Sequence, residues 1–166
     1  MENLLPLAEK IAAALIARGE TIGVAESSTG GLISAALLAI PGASAYYRGG
    51  GVIYTPRARA ALVNITKDEM EGIRASSEPY AALLATRARD LLGATWGLSE
   101  TGATGPTGNR YGDAAGHSCI GVAGPVMQTI TLETGRSDRR ENMLAFALRA
   151  LKLLRESIEK APSKHL

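Results

Sequence analysis

Thr21–Ile22–Gly23–Val24–Ala25–Glu26–Ser27–Ser28–Thr29–Gly30–Gly31, followed by the apolar run 32–40 and the stop Pro41–Gly42, decides how this chain is read. Residues 21–25 are partly β-branched and read as a buried strand. Residues 29–40 read as a helix ended by Pro41–Gly42. A strand that passes through a glycine turn into a helix is the repeating unit of an α/β fold. Between the two lie a carboxylate, three consecutive hydroxyls and two glycines. Glycine allows tight turns and close approach of a ligand to the main chain. A helix N-terminus offers unpaired N–H groups and partial positive charge to a phosphate or a developing oxyanion. The same residues also fit a plain cap by Ser28 or Thr29. On this stretch alone both readings stand.

Working outward, Leu4, Leu5, Ile11, Leu15 and Ile16, with Glu9, Lys10 and Arg18 between them, predict an amphipathic helix over 3–18 that ends near Gly19. Downstream, Gly49–Gly50–Gly51 opens a second strand at Val52–Ile53–Tyr54. Thr55–Pro56 starts a helix with Pro at its first position. Thr66 and Glu69 form a capping box before a short helix that ends at Gly72. Ser77–Glu78–Pro79 opens a longer helix to about Leu92, and 95–99 is a third strand. Residues 100–116 make a long polar, Gly-rich loop, a length that in a compact domain points to function or disorder. Residues 117–124 and 126–133 alternate as two strands joined at Gly124–Pro125. A closing helix over 136–160 turns Met143, Leu144, Phe146, Ala147, Leu151 and Leu154 inward, and 161–166 is expected to fray. The pattern predicts a three-layer α/β/α sandwich with a mixed, roughly five-stranded sheet, forming one domain over 1–166.

Composition narrows the function classes. Of 166 residues, 46% are hydrophobic and 20% charged, an ordinary globular balance with room for a core. The net charge of +2 is scattered, and Phe and Trp occur once each, which argues against nucleic acid as a partner. Cys119 is the one cysteine, so no intramolecular disulfide forms and a reducing compartment fits. It reads as a buried small hydrophobe. No apolar run approaches the ~18 residues of a membrane span. Met1–Glu2–Asn3 lacks a basic leader start, so a cytoplasmic location with no membrane partner is expected. His117 and Cys119, two apart on one strand face, are too few for zinc, and no metal or cofactor is expected.

In an open α/β sheet ligands bind beyond the carboxyl ends of the strands. The polar segments 26–29, 54–59 and 100–105 all collect there, and one site explains them better than three unrelated loops. The same segments carry a resemblance. A-E-S-S-T-G-G at 25–31, G-G-V-I-Y-T at 50–55, S-E-P at 77–79 and T-G-A-T-G-P at 101–106 resemble the CinA C-terminal domain family, in order and in spacing, over nearly the whole chain. The family's characterised members are nicotinamide-nucleotide amidases, and the absence of its larger N-terminal domain suggests the stand-alone form.

The resemblance implies an amidohydrolase that converts nicotinamide mononucleotide to nicotinic acid mononucleotide and ammonia, with Ser27 as nucleophile. A serine hydroxyl needs a base to take its proton. The family's lysine for that role falls at Arg59 here, and arginine stays protonated. A catalytically impaired nucleotide-binding or regulatory module is therefore the alternative. Glu26, Glu100 and Lys67 are the other candidate bases, and no lysine lies between residues 11 and 66. Glu100 occupies a position that is usually apolar in the family, and a charge-assisted pair with Arg59 is expected of it. The resemblance further assigns Ser28, Thr29, Gly30 and Gly31 to a phosphate or oxyanion, Glu26 to substrate binding, and Thr101, Thr104 and Gly105 to the substrate pocket. Arg136 and Arg140 match basic positions at the start of the family's last helix and meet either a phosphate or solvent. Tyr54 packs on a substrate ring or belongs to the core, with the core favoured. Small α/β enzymes with surface pockets often pair, so a homodimer is expected.

Overall fold

The computed structural model describes residues 1–162. Strands β1 (Ile22–Glu26), β2 (Tyr47–Val52), β3 (Trp96–Ala103), β4 (His117–Ala123) and β5 (Gln128–Glu133) form one sheet in the order β2-β1-β3-β4-β5. β1 runs parallel to both β2 and β3, whereas β4 is antiparallel to β3 and to β5. The sheet is mixed, as the sequence predicts. β1 and β4 are buried along their whole length, while the edge strands β2 and β5 alternate or are half exposed. That contrast follows from position: interior strands are covered on both faces.

Helices α1 (Leu5–Arg18), α2 (Leu32–Leu38) and α5 (Arg139–Lys160) cover one face. Their apolar stripes close on Ile22, Val24, Trp96, Leu98, Ile120 and Val122. Trp96 is fully buried, yet its indole N–H donates to Glu20 Oε2 at 2.7 Å, so burial strands no donor. The other face carries α4 (Glu78–Leu91), with α3 (Pro56–Val63) beside it, over Ala25, Ile53 and Ile65. The result is the three-layer sandwich.

α4 lies very low on the sheet because three neighbouring strands present glycine to it. A Cβ on Gly23 of β1 would stand 2.8 Å from the Ala88 carbonyl oxygen. One on Gly121 of β4 would stand 2.5 Å from that of Ala81. On Gly97 of β3 it would stand 2.8 Å from the carbonyl carbon of Ala85 and closer still to its oxygen. Residues 81, 85 and 88 fall on one helical face, so α4 rides main chain to main chain in a glycine trough.

Several boundaries differ from the sequence expectations, each for a local reason. α2 begins at Leu32 rather than Thr29, because Gly30 and Gly31 hold φ of 65° and 101°, outside the helical region. β2 includes Gly49–Gly51 and stops at Val52, so the glycines are the strand and not its entrance. β3 continues to Ala103 and takes Glu100–Ala103 out of the expected loop, because β4 pairs with it as far as His117–Ala103. Thr66 and Glu69 do make their reciprocal cap, at 3.2 and 2.9 Å, but only a 3₁₀ turn at Asp68–Met70 follows. α5 starts at Arg139 with Asp138 as its cap. Of the segment expected to fray, residues 163–166 lie outside the described residues. Ala161 is buried, and the Arg18 guanidinium donates to the Pro162 carbonyl at 3.1 Å. Among the described residues no helix is long and apolar enough to cross a membrane.

Candidate functional site

The turn after β1 is organised by two buried carboxyl groups. Glu26 accepts the N–H groups of Gly31 (3.1 Å), Ile33 (3.0 Å) and Ser34 (2.7 Å). It thereby serves as a distant cap for α2, whose own N-cap residue Gly31 has no side chain to offer. Glu26 was assigned to substrate; it is fully buried and lines neither hollow described below. The Gly31 donor expected at a phosphate is therefore already engaged, and Gly30 N–H donates to the Ser27 carbonyl.

Glu100, which β3 carries into the interior, is fully buried as well. Its Oε2 accepts the N–H groups of Ser27 (3.2 Å) and Thr29 (2.9 Å) and lies 3.0 Å from Thr29 Oγ1. Its Oε1 lies 2.5 Å from Ser28 Oγ and 3.2 Å from Ser118 Oγ. Burial raises the Glu100 pKa, and the hydrogen bonds from Ser28, Thr29 and Ser27 oppose the rise without cancelling it. Thr29 Oγ1 also reaches Glu26 Oε2 at 2.8 Å, so one hydroxyl stands between two carboxyl groups. The expected pairing of Glu100 with Arg59 is not formed: the carboxyl is engaged by the turn and by Ser118, while the guanidinium stands 5.8 Å over the Tyr80 ring. Arg59 Nε is buried with no hydrogen-bond partner among the described residues.

Two hollows open at the carboxyl ends of β1 and β3. The larger, about 530 Å³, has Ser27, Arg59, Tyr80, Thr101 and Tyr111 in its walls. That is within the usual volume range of small-molecule sites. The smaller, about 210 Å³, is bounded by Ser28, Thr104, Gly105, Asn109 and Arg139, and it shares Tyr54 and Gly102 with the first. Ser27 and Ser28 thus face adjoining spaces. Among the described residues the Ser28 N–H makes no hydrogen bond. Thr104 Oγ1 is likewise buried without a partner. Thr101 Oγ1 accepts the Ser76 N–H at 3.2 Å.

Tyr54 is exposed rather than core, and its hydroxyl accepts from Arg139 Nη2 at 3.2 Å. Arg139 Nη1 donates to the Gly105 carbonyl at 2.8 Å. Of the arginines around the start of α5, Arg139 is the one in the wall of the smaller hollow. Arg136 lines a separate hollow with Leu132 and Lys152, and Arg140 is exposed and lines neither space. The signal that could have found Arg139 is Asp138 followed three residues later by Glu141, a helix-start pattern that sets the phase of the arginines. Tyr80 and Tyr111 were missed because an isolated aromatic carries no periodic signature.

Loop 104–116 is tied across the larger hollow. The Arg74 guanidinium holds both oxygens of Asp113, at 2.7 and 3.0 Å, and Asn109 Oδ1 accepts the N–H groups of Tyr111 and Asp113. Behind it, His117 faces two acceptors: Glu133 Oε1 at Nδ1 and the Ser76 carbonyl at Nε2, 2.9 Å away. Both acceptors are satisfied together only when both ring nitrogens carry protons, so the surroundings favour the imidazolium. Burial lowers its pKa, but the Glu133 and Ser76 hydrogen bonds and the carboxylates of Asp113 and Glu133 outweigh that and raise it. A raised folded pKa adds stability that is full below the ordinary imidazole pKa of about 6.5 and is lost as pH rises through the folded value. The melting-temperature advantage of the parent over His117→Gln is thus expected to be largest at about pH 5.5 and to shrink as the pH rises beyond about 6.5. A gap independent of pH would contradict the imidazolium.

The sequence profile of the CinA C-terminal domain matches residues 4–158. A CinA-like protein of Gloeobacter violaceus is 41% identical over 119 residues, covering 72% of this chain and 28% of that protein. One from Anaeromyxobacter sp. (strain K) is 38% identical over 149 residues, covering 90% of this chain and 36% of that protein. The chain thus spans about a third of the length of the curated relatives it matches. Among solved structures, the competence damage-inducible protein A of Klebsiella pneumoniae superposes with a TM-score of 0.88 at 26% identity, covering 95% of this chain and 98% of that one. A competence/damage inducible protein of Agrobacterium tumefaciens gives 0.86 at 27% identity, covering 95% and 96%.

Proposed function

We propose, on the premise that this chain belongs to the CinA C-terminal domain family, that it is an amidohydrolase releasing ammonia from nicotinamide mononucleotide. The observation that carries the reading is Ser27, presented at the end of a central parallel strand to a nucleotide-sized hollow, beside the unengaged N–H of Ser28. In this reading Ser27 Oγ attacks the carboxamide carbon, and the Ser28 N–H meets the oxyanion that develops on the carbonyl oxygen. Arg139, on the wall of the adjoining space, supplies positive charge for the phosphate, and Thr104 Oγ1 is a free partner for a substrate oxygen. Tyr54, Tyr80 and Tyr111 stand in the wall of the larger hollow, where the rings would be received.

One observation favours a second reading. Arg59 stands where the family places its lysine, and a guanidinium cannot accept the serine proton. The chain would then bind the nucleotide without cleaving it. Ammonia release from nicotinamide mononucleotide, measured beside a binding isotherm for the same compound, separates the two. Turnover supports the amidase. Binding without ammonia supports the second reading, and Arg59→Lys is then expected to raise turnover above background.

A further inference from the structure

We propose that Glu100 is the general base of this site, reached from Ser27 through the Ser28 hydroxyl. The proposal rests on the serine-nucleophile part of the reading above, and it concerns a group that the fold has buried directly behind the nucleophile. The two oxygens of Glu100 have different company. Oε2 meets the N–H groups of Ser27 and Thr29, which can only donate, as well as the Thr29 hydroxyl, so two of its three contacts require an acceptor in every protonation state. Oε1 meets hydroxyls alone, Ser28 Oγ at 2.5 Å and Ser118 Oγ at 3.2 Å. A hydroxyl both donates and accepts. Oε1 can therefore gain or lose a proton with no contact broken, and Ser28 Oγ is the near partner in that exchange.

The carboxyl is held in place by the chain segment it serves. Its Oε2 pins the backbone of the nucleophile turn, while its Oε1 stands ready for a proton. Full burial removes competing water, and the raised pKa gives the carboxylate more basicity than an exposed glutamate has. The other titratable group beside it is Glu26, across the Thr29 hydroxyl; the turn and β4 contribute only N–H groups and hydroxyls.

The proton inventory closes. Ser27 Oγ forms a bond to the carboxamide carbon while its proton passes through one water to Ser28 Oγ, and the Ser28 proton passes to Glu100 Oε1. The carbon–nitrogen bond then breaks, and the proton returns by the same route to the departing nitrogen, which leaves as ammonia. Water attacks the resulting ester, and its proton passes through Ser28 Oγ to Glu100. That proton returns to Ser27 Oγ as the carboxylic acid leaves.

The test reads the reactivity of Ser27 without depending on the substrate. The folded full chain is treated with a fluorophosphonate, and the labelled residue and rate are read by mass spectrometry across a pH series. Expected is labelling at Ser27 whose rate rises with pH through a single ionisation. Glu100→Gln and Ser28→Ala should each slow it by about 10²-fold or more. Glutamine is the informative replacement, since its oxygen still accepts the Ser27 and Thr29 N–H groups and its amide still meets Ser28 and Ser118. A purely structural role would survive it. Glu100→Asp should keep the pH dependence and part of the rate, and with Ser28→Ala it carries the test if Glu100→Gln does not fold. An unlabelled parent, a label elsewhere, or Glu100→Gln labelled as fast as the parent would overturn the proposal. Ammonia release from nicotinamide mononucleotide is followed in parallel. Glu100-dependent labelling with no ammonia upholds the base and removes that substrate, whereas ammonia release indifferent to Glu100→Gln does the reverse.

Discussion

Gly97→Ala is expected to yield no stably folded protein. The added methyl would be driven into the Ala85 carbonyl, 2.8 Å from its carbon, with Arg89 Cβ, one helical turn on, at 3.0 Å. The obstacle is main chain within the α4 hydrogen-bond ladder, so it cannot rotate away as a side chain would. Relief requires lifting α4 off the sheet, which also separates it from Gly23 and Gly121 and opens the interface that those contacts close. A cost above about 4 kcal/mol is the expected scale for such a lesion, against a total stability of about 5–15 kcal/mol. Urea unfolding followed by circular dichroism measures it. Gly51→Ala is the control, since a Cβ there meets only Ile53 Cδ1 at an ordinary 3.4 Å, and its midpoint should move little. Equal midpoints for the two variants would show that the trough is not tight.

Ser27→Ala is expected to lower ammonia release from nicotinamide mononucleotide by about 10⁴-fold or more while leaving the affinity for the nucleotide near that of the parent. The change removes one oxygen from the wall of a hollow that keeps Arg59, Tyr80, Thr101 and Tyr111. The turn itself is held through the backbone N–H of Ser27, which alanine retains, so the Glu100 contact persists. Loss of turnover with binding intact is the pattern of a group whose energy is realised only during reaction. A variant that turns over like the parent would remove Ser27 from the chemistry.

Much of the fold was legible because strong local signals agree with it. Thr55–Pro56 and Ser77–Glu78–Pro79 each combine a capping hydroxyl with proline in the first turn, and both helices start there, with Thr55 and Ser77 accepting from Ala58 and Tyr80. The strand after Gly49 was placed too late because an all-glycine face has no hydrophobic period to read, although pairing with β1 makes it a strand. β3 was cut short at Ser99 for a related reason. Glu100 and Thr101 look like loop residues, and only the β4 pairing and the hydroxyl-lined interior make room for them. The candidate site was readable as a set of segments meeting at the strand ends. The internal wiring was not. Which carboxyl caps α2, which one backs the serines, and which of three arginines faces the hollow depend on side-chain directions that pairing and packing decide.

The glycine trough under α4 also limits how this chain can be repaired. A clash between two side chains can be cured from either side by shrinking the partner. The two nearest atoms over Gly97 belong to the backbone of Ala85, which every amino acid carries, so no replacement at residue 85 creates space. Selection for second-site suppressors of Gly97→Ala should therefore return true revertants at codon 97 and none at codon 85. By the same logic, drift at such positions is closed to stepwise compensation, and a lineage that loses the glycine loses the helix seat with it.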